Sequence, residues 1–435
     1  MREPPLNRAG PIAGTQVTAR AIPEILAQYA EEAAFLWVLR DQAVQAPHYS
    51  LADLIKLDDR IEAHLDGLRV AGDAGWEIVQ QELKWEEPGE VFAAAVLAFE
   101  SDDMARIQPV LTVARESPEL ARGLISALGW LPFGKVALRI NQLAASQTTD
   151  LRRIGIAAAA IHRQDPGRAL TDSLAADDPA LRARALRAAG QLGRTDLLPV
   201  LRQQTADEDE TCRFAAGWSA ALLGDKRPIA GLQSVAAGSS AHAPAAMDMA
   251  LRCLDLPAAI AWQTQTASDP KLPRAAVIAA GVIGDPVSIP WLVEQMAFAD
   301  LARVAGESFT FITGADLALA HLDGEAPSAS EAGPTDSPED ENVAMDPDDD
   351  LPWPDPALVR AWWDKHKQEF AAGTRYLLGQ PMTVESLMEI LRSGRQRQRA
   401  AAALELARRQ SKARKPLFEV RAPGFRQQLL LARPA

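Results

Sequence analysis

The middle of the chain repeats one pattern of apolar and polar positions. Seven apolar residues, each followed by a turn signal, mark it, with gaps of 31, 33, 31, 31, 31 and 29 residues: Leu97, Leu128, Ile161, Leu192, Leu223, Leu254 and Ile283. An Ala-rich run precedes each, and most are followed by Gly or Asp, then Pro, then a second apolar run. The order predicts two short helices per unit. Because such a unit cannot bury its own apolar face, it must stack on its neighbours.

The repeat therefore predicts an all-α fold, an α-solenoid (α-α superhelix) of about seven helix pairs with helical caps at both ends. We expect an elongated, curved rod divided into an N-terminal helical region (1–87), the repeats (88–322), an acidic disordered loop (323–352) and a C-terminal helical cap packed on the solenoid (353–435). In the first region Pro23 suits the first turn of a helix, and Ser50 with Asp53 resembles a capping box. Arginines recur at the starts of first helices, and we expect them to be either solvated or part of a repeated contact on the rim: Arg122, Arg152, Arg182, Arg213 and Arg274.

The net charge of −13 comes almost entirely from one segment. Residues 323–350 carry eleven acidic side chains and no basic one, which leaves −2 for the rest of the chain. This acidic, Pro- and Ser-rich stretch cannot bury apolar area, which is why we expect a disordered loop there. Residues 392–415 have the opposite character, with nine Arg or Lys against Glu405 alone.

Seven residues near the C-terminus are candidate partner-binding residues: Trp353, Trp362, Trp363, Arg392, Arg395, Arg397 and Arg399. Trp and Arg are typical anchors of protein interfaces, although the tryptophans could instead fix their helix on the last repeat. The arginines cluster near the start of a predicted helix, where the helix dipole disfavours positive charge. We expect them to pair with the acidic loop or with carboxylates of the solenoid. Nucleic-acid phosphate is the alternative partner.

We expect no catalytic, cofactor or metal site, and so no enzyme and no small-molecule substrate. Gly129 to Lys135 has the spacing of a phosphate loop, but Val136 replaces the hydroxyl residue that binds Mg²⁺, and the string lies in a turn between repeat helices. The six histidines are scattered, and Cys212 and Cys253 read as buried thiols. The chain starts without an apolar run and nowhere has about 18 uncharged apolar residues in a row, so we expect a cytoplasmic protein with no signal peptide and no membrane contact.

Several strings along the chain carry a family resemblance. They are SLADLIKLDDRIEAHLDGLRVAG (50–72), AGESFTFITGADL (305–317), LPWPDPALVRAWWDKH (351–366), AAGTRYLLGQP (371–381), RQRQRAAAALELA (395–407) and RAPGFRQQ (421–428). Together they resemble a bacterial family of HEAT-repeat proteins that are often encoded beside type VI secretion effectors and their spike or adaptor proteins. The resemblance implies a HEAT-like solenoid with an accessory role there, as an immunity protein or an effector-loading adaptor. No catalytic residues are established for the family, so none can be carried over.

These observations favour a non-enzymatic scaffold that holds another protein, a secreted effector or toxin or a spike component, against its concave face. The alternative is a nucleic-acid-binding helical-repeat protein that uses the C-terminal arginine cluster.

Overall fold

The computed structural model describes residues 22–326, 346, 348–409 and 417–432. These residues form 22 α-helices, four 3₁₀ turns and one short β-hairpin. Most of the predicted acidic loop and the first 21 residues lie outside the described part of the chain, and so do the predictions made for them.

The N-terminal region consists of α1 (Pro23–Ala43), α2 (Leu51–Ala71), α3 (Asp73–Glu82) and a 3₁₀ turn (Leu83–Trp85). Pro23 lies in the first turn of α1, as expected. The capping box of α2 is confirmed, since the amide of Asp53 donates to Ser50 Oγ at 3.3 Å and that of Ser50 donates to Asp53 Oδ2 at 3.2 Å. Both bonds satisfy amides that a helix start leaves unpaired.

Seven helix pairs follow, and the predicted α-solenoid is confirmed. The pairs are α4 (Pro88–Ser101) with α5 (Met104–Val113), α6 (Pro118–Trp130) with α7 (Phe133–Ala144), α8 (Thr149–Ile161) with α9 (Arg168–Ser173), α10 (Pro179–Gln191) with α11 (Leu198–Gln204), α12 (Glu210–Leu222) with α13 (Ile229–Ala236), α14 (Ala243–Cys253) with α15 (Leu256–Ala267), and α16 (Pro273–Ile283) with α17 (Ile289–Gln295). Short 3₁₀ turns precede α11 (Thr195–Leu197) and α17 (Pro286–Ser288).

The first helices of the pairs stack directly on one another and form the inner layer of the solenoid. They are buried on almost every side, as in α4, where each residue from Val91 to Phe99 is buried. Small residues allow this close packing. A Cβ at Gly155 of α8, for example, would lie 2.1 Å from the backbone nitrogen of Ala144. A helix with apolar residues on every side must be packed against other elements on every side. The second helices cover only one side of the first helices, so other parts of the chain must cover the rest.

The C-terminal part contains α18 (Ala299–Thr313), α19 (Pro356–His366), a 3₁₀ turn (Lys367–Glu369), the hairpin β1 (Tyr376–Leu377) and β2 (Gln380–Pro381), α20 (Val384–Ser393), α21 (Gln396–Arg409) and α22 (Gly424–Leu431). Helix α19 is capped at its start by Asp355, whose Oδ1 accepts from the amide of Ala357 at 2.8 Å. It packs on α17 at the end of the repeats.

The expected elongated rod is wrong, because the two ends of the solenoid meet. Residues 394–409 and 417–432, here called the inner segment, run along the inner layer from the last repeat to the N-terminal helices. The amide of Leu417 donates to Gln191 O at 2.9 Å, and that of Gln396 donates to Tyr49 O at 2.8 Å. The solenoid is thus closed, and its inner face is covered by its own chain.

Candidate partner-binding surface

Two arginines of the predicted cluster hold the ends of the solenoid together. Arg397 donates from Nη1 to Glu307 of α18 at 2.9 Å and from Nε to the carbonyl of Gln45 at 2.9 Å. Arg395 donates to Asp316 Oδ2 at 3.2 Å and to the carbonyl of His48 at 2.6 Å. The prediction that these arginines pair with carboxylates of the solenoid is confirmed for this pair. Both arginines therefore have partners within the fold, although the Arg395 side chain is still 45% exposed.

The other two arginines of the cluster have different surroundings. Arg399 is fully buried, and its guanidinium donates to the carbonyl of Leu391 at 2.8 Å and to the side chains of Gln396 and Gln427. Burial lowers its pKa to about 10. Arg399 exposes no surface that a partner could reach, so it is removed from the candidate contact residues. Arg392 is exposed, with Glu389 at 3.8 Å.

Buried ion pairs anchor the inner segment at its two halves. Arg252 of α14 donates to Glu405 of α21 at 3.1 Å, and both side chains are almost fully buried. Burial by itself would raise the pKa of Glu405, but the nearby arginines, led by Arg252, outweigh it and lower that pKa. In the N-terminal region Arg40 pairs with Asp58 at 2.7 Å, and this pair hydrogen-bonds to the backbone of residues 421–424 in the second half of the inner segment. A buried pair of this kind is strongly disfavoured when one member is removed.

Of the three tryptophans, Trp362 and Trp363 belong to α19, and both are half-buried. Trp362 stacks on His366 with centroids 4.0 Å apart and meets Phe309 edge to face at 5.5 Å. Trp363 lies 5.4 Å from Phe370. These contacts correspond to the structural interpretation, in which the adjacent rings fix the helix on the last repeat.

Trp353 lies beside a surface cleft of about 390 Å³. The cleft is lined by Met296, Ala297, Ala299, Ala302, Gly324, Glu325, Trp353, Pro354, Asp355 and Pro356. The Arg303 guanidinium is held 4.6 Å above the Trp353 ring. Two exposed apolar side chains are close to the lining residues in sequence: Phe298, 59% exposed, lies between Ala297 and Ala299, and Leu358, 44% exposed, lies two residues after Pro356. We call Phe298, Trp353 and Leu358, with this cleft, the Trp353 surface.

The described end of the acidic segment is packed against the solenoid. Asp346 pairs with Arg303, and Asp348 accepts from both terminal nitrogens of Arg274 at 2.5 and 2.6 Å. Asp348 is buried. The same segment reaches the N-terminal region, where Asp350 Oδ2 lies 3.3 Å from His48 Nδ1. The contacts of Asp346, Asp348 and Asp350 thus place this end of the acidic segment where the two ends of the solenoid meet.

Comparison with known families identifies the repeat. A model described as HEAT repeats matches residues 167–252, which span α9 to α14. The repeats in this part of the solenoid match HEAT repeats, in agreement with the all-α solenoid described above. The comparison with curated proteins found no match.

An arginine makes the same contact in three consecutive helix pairs. Each lies in the first turn of a first helix and donates to the carbonyl six residues earlier: Arg152 to Ser146 O at 2.7 Å, Arg182 to Ala176 O at 2.5 Å and Arg213 to Asp207 O at 2.7 Å. The expected repeated contact on the rim is confirmed for these repeats. It ties the loop between repeats to the next helix.

Neither the phosphate-loop-like string nor the cysteines form a site in the described structure. Gly129 and the buried Trp130 end α6, and Gly134 lies within α7, so the string is the turn between two helices of one pair. Cys212 and Cys253 are free and buried, and burial raises the pKa of Cys212 to about 12. Within the described ranges no group of His, Cys, Asp and Glu is arranged to hold a metal ion. None of their helices combines the length and the apolar character needed to cross a membrane.

The inner layer also carries charged residues that sequence reasoning did not single out. They lie on or directly after α8 and α10 or on the inner segment: Arg153, His162, Arg163, Arg184, Arg187, Glu419 and Arg426. Burial, together with the charge of Arg426, lowers the pKa of His162 to about 4, although its ring nitrogen lies 2.8 Å from Leu128 O. The available sequence signal was arginine inside Ala-rich helices whose other residues are nearly all apolar.

Proposed function

We propose that this protein is a non-catalytic scaffold that binds another protein through the Trp353 surface. The observation that carries the proposal is the covering of the inner face by the inner segment, which leaves outward-facing surfaces for a partner. HEAT-repeat solenoids commonly serve as protein-interaction scaffolds and are generally non-catalytic. The binding site of the sequence-based hypothesis, the concave face, is therefore replaced here by an outer surface at the end of the repeats.

The Trp353 surface has the features of an interface centre. The Trp353 ring lies under the Arg303 guanidinium, next to the cleft and near the exposed Phe298. Together they offer a large apolar contact area with few rotatable bonds. Aromatic and arginine side chains of this kind dominate the binding energy of protein interfaces. Arg303 is already ion-paired to Asp346, so it is held in place before a partner arrives.

The finer proposal is an accessory role in type VI secretion, as an immunity protein or an effector-loading adaptor acting in the cytoplasm. Its support is the resemblance of the strings quoted above. In the immunity version the partner is a toxin whose active site is blocked. In the adaptor version it is an effector or spike component held before secretion.

Co-expression with the product of the neighbouring effector gene tests the proposal. We expect a stable complex on size-exclusion chromatography, weakened at least about tenfold by W353A or F298A. The matched control is V70A, since Val70 is 90% exposed on α2 in the N-terminal region. If the protein restores growth of cells that produce the toxin, it is an immunity protein. If it does not restore growth but its removal stops secretion of the effector, it is an adaptor. Absence of a complex, or full affinity in W353A and F298A, would refute the proposal.

A further inference from the structure

Four arginines of the inner layer, Arg153, Arg163, Arg184 and Arg187, lie within electrostatic reach of one another, and the last three also interact with Glu419 of the inner segment. Arg163 Nη2 lies 3.5 Å from Glu419 Oε2, and both side chains are more than four-fifths buried. Arg184 donates from both terminal nitrogens to Gln191 Oε1 at 3.0 Å, which is a neutral acceptor. The nearest acid to Arg153 is Asp150 at 3.9 Å, and the Asp150 side chain is 43% exposed.

The fourth arginine is fixed over an aromatic ring. The Arg187 guanidinium carbon lies 3.1 Å from the centroid of Trp218, which holds the planar group by a cation–π contact. Its Nη1 is out of contact with solvent and has no hydrogen-bond partner, and the same is true of Arg153 Nε. Buried donors without acceptors are rare in folded proteins, and each needs an explanation.

The cluster carries excess positive charge. Burial and the neighbouring arginines lower the pKa of Arg184 to about 10 and that of Arg187 to about 9, values that still leave both protonated at neutral pH. Among the described residues only Glu419 and Asp150 form ion pairs with these four cations, so two of the positive charges have no paired carboxylate there. Uncompensated charge in a desolvated position is costly unless a counter-ion is bound.

We propose that Arg153, Arg163, Arg184 and Arg187 form a binding site for a phosphate-bearing anion inside the closed solenoid. A phosphate or pyrophosphate group carries the negative charge that the cluster lacks, and its oxygens match the paired donors of guanidinium groups. None of the four residues is fully buried, so the cluster borders on solvent. The ligand is structural, since it joins α8 and α10 to the inner segment, and the site is separate from the Trp353 surface.

Titration of the full chain with inorganic pyrophosphate, at constant ionic strength, tests this site by calorimetry and by the thermal unfolding midpoint. We expect saturable binding that raises the midpoint. R184M and R187M should each weaken binding at least about tenfold, whereas R168M, which changes an exposed arginine of α9, should not. If R187M fails to fold by circular dichroism, R187K keeps the charge without the fork and should still bind more weakly.

Parallel titrations with adenosine triphosphate and citrate separate the possible sources of the anion. Equal binding of pyrophosphate and adenosine triphosphate supports recognition of the phosphate groups alone, and tighter binding of adenosine triphosphate supports a nucleotide as their source. Citrate binding as tight as that of pyrophosphate would overturn the preference for phosphate. Absence of saturable pyrophosphate binding up to millimolar concentration, or unchanged affinity in R184M and R187M, would overturn the site itself.

Discussion

Removing the charge of Asp58 should release one end of the inner segment from the N-terminal helices. Asp58 is 3% and Arg40 is 4% exposed, and the two side chains pair at 2.7 Å. Arg40 also donates to the carbonyls of Arg421 and Ala422, both at 2.9 Å, while Asp58 Oδ2 accepts from the amide of Gly424 at 2.5 Å. One buried ion pair thus holds three residues of the inner segment, Arg421, Ala422 and Gly424.

The magnitude follows from what D58N leaves behind. The variant keeps the shape of the side chain but leaves the Arg40 cation buried without a counter-charge. Breaking a buried pair by changing one partner costs about 3–5 kcal/mol. We therefore expect the free energy of unfolding to fall by about that amount, a large part of the about 5–15 kcal/mol typical of a domain.

Denaturant unfolding and hydrogen exchange measure this prediction together. Loss of amide protection should be concentrated in residues 417–432, with the central repeats unchanged. D59N is the matched control, because Asp59 is the exposed neighbour of Asp58, and it should change stability by less than about 0.5 kcal/mol.

The double variant R40M/D58L removes both charges and should be less destabilised than D58N. If D58N were as stable as D59N, or if protection were lost evenly along the chain, the inner segment would not be held in the way described.

Three further predictions concern other contacts. The pKa of His162 is about 4 in the folded protein, whereas that of an unfolded histidine is about 6.5. The free energy of unfolding should therefore be highest above pH 6.5 and should fall by up to about 3 kcal/mol as the pH drops to 4. H162Q should flatten this pH dependence in thermal unfolding. G155A forces a Cβ into the backbone of α7 and should lower the free energy of unfolding by more than about 2 kcal/mol, whereas G134A, where nothing lies within 4 Å of the added atom, should be neutral or stabilising by up to about 1 kcal/mol. R397M removes the cation that pairs with the Glu307 carboxylate at 2.9 Å. Proteolysis where the ends of the solenoid meet should therefore become faster, while retention on DNA should stay unchanged. Reduced retention on DNA with normal proteolysis would favour the nucleic-acid alternative.

The sequence by itself determined the local structure of this protein. The spacing of Leu97, Leu128 and the later markers predicted the helix pairs, and the capping signal at Ser50 with Asp53 predicted where α2 begins. These predictions hold because helix capping, turns and amphipathic patterns depend on residues only a few positions apart. Stacking of such pairs also follows, since a single pair cannot bury its apolar face.

Only the tertiary structure decided that the solenoid closes and that its chain fills the inner face. The small rotation between successive repeats accumulates along the stack, and no local pattern reports its sum. The contacts that result join residues far apart in sequence, as in Arg397 with Glu307 and Asp58 with Gly424. Segments that are far apart in sequence, such as 50–72 with 421–428 and 305–317 with 395–407, are therefore in contact in the folded protein. The sequence could name the arginines, but their roles depend on which carboxylates the curvature of the whole solenoid brings within reach.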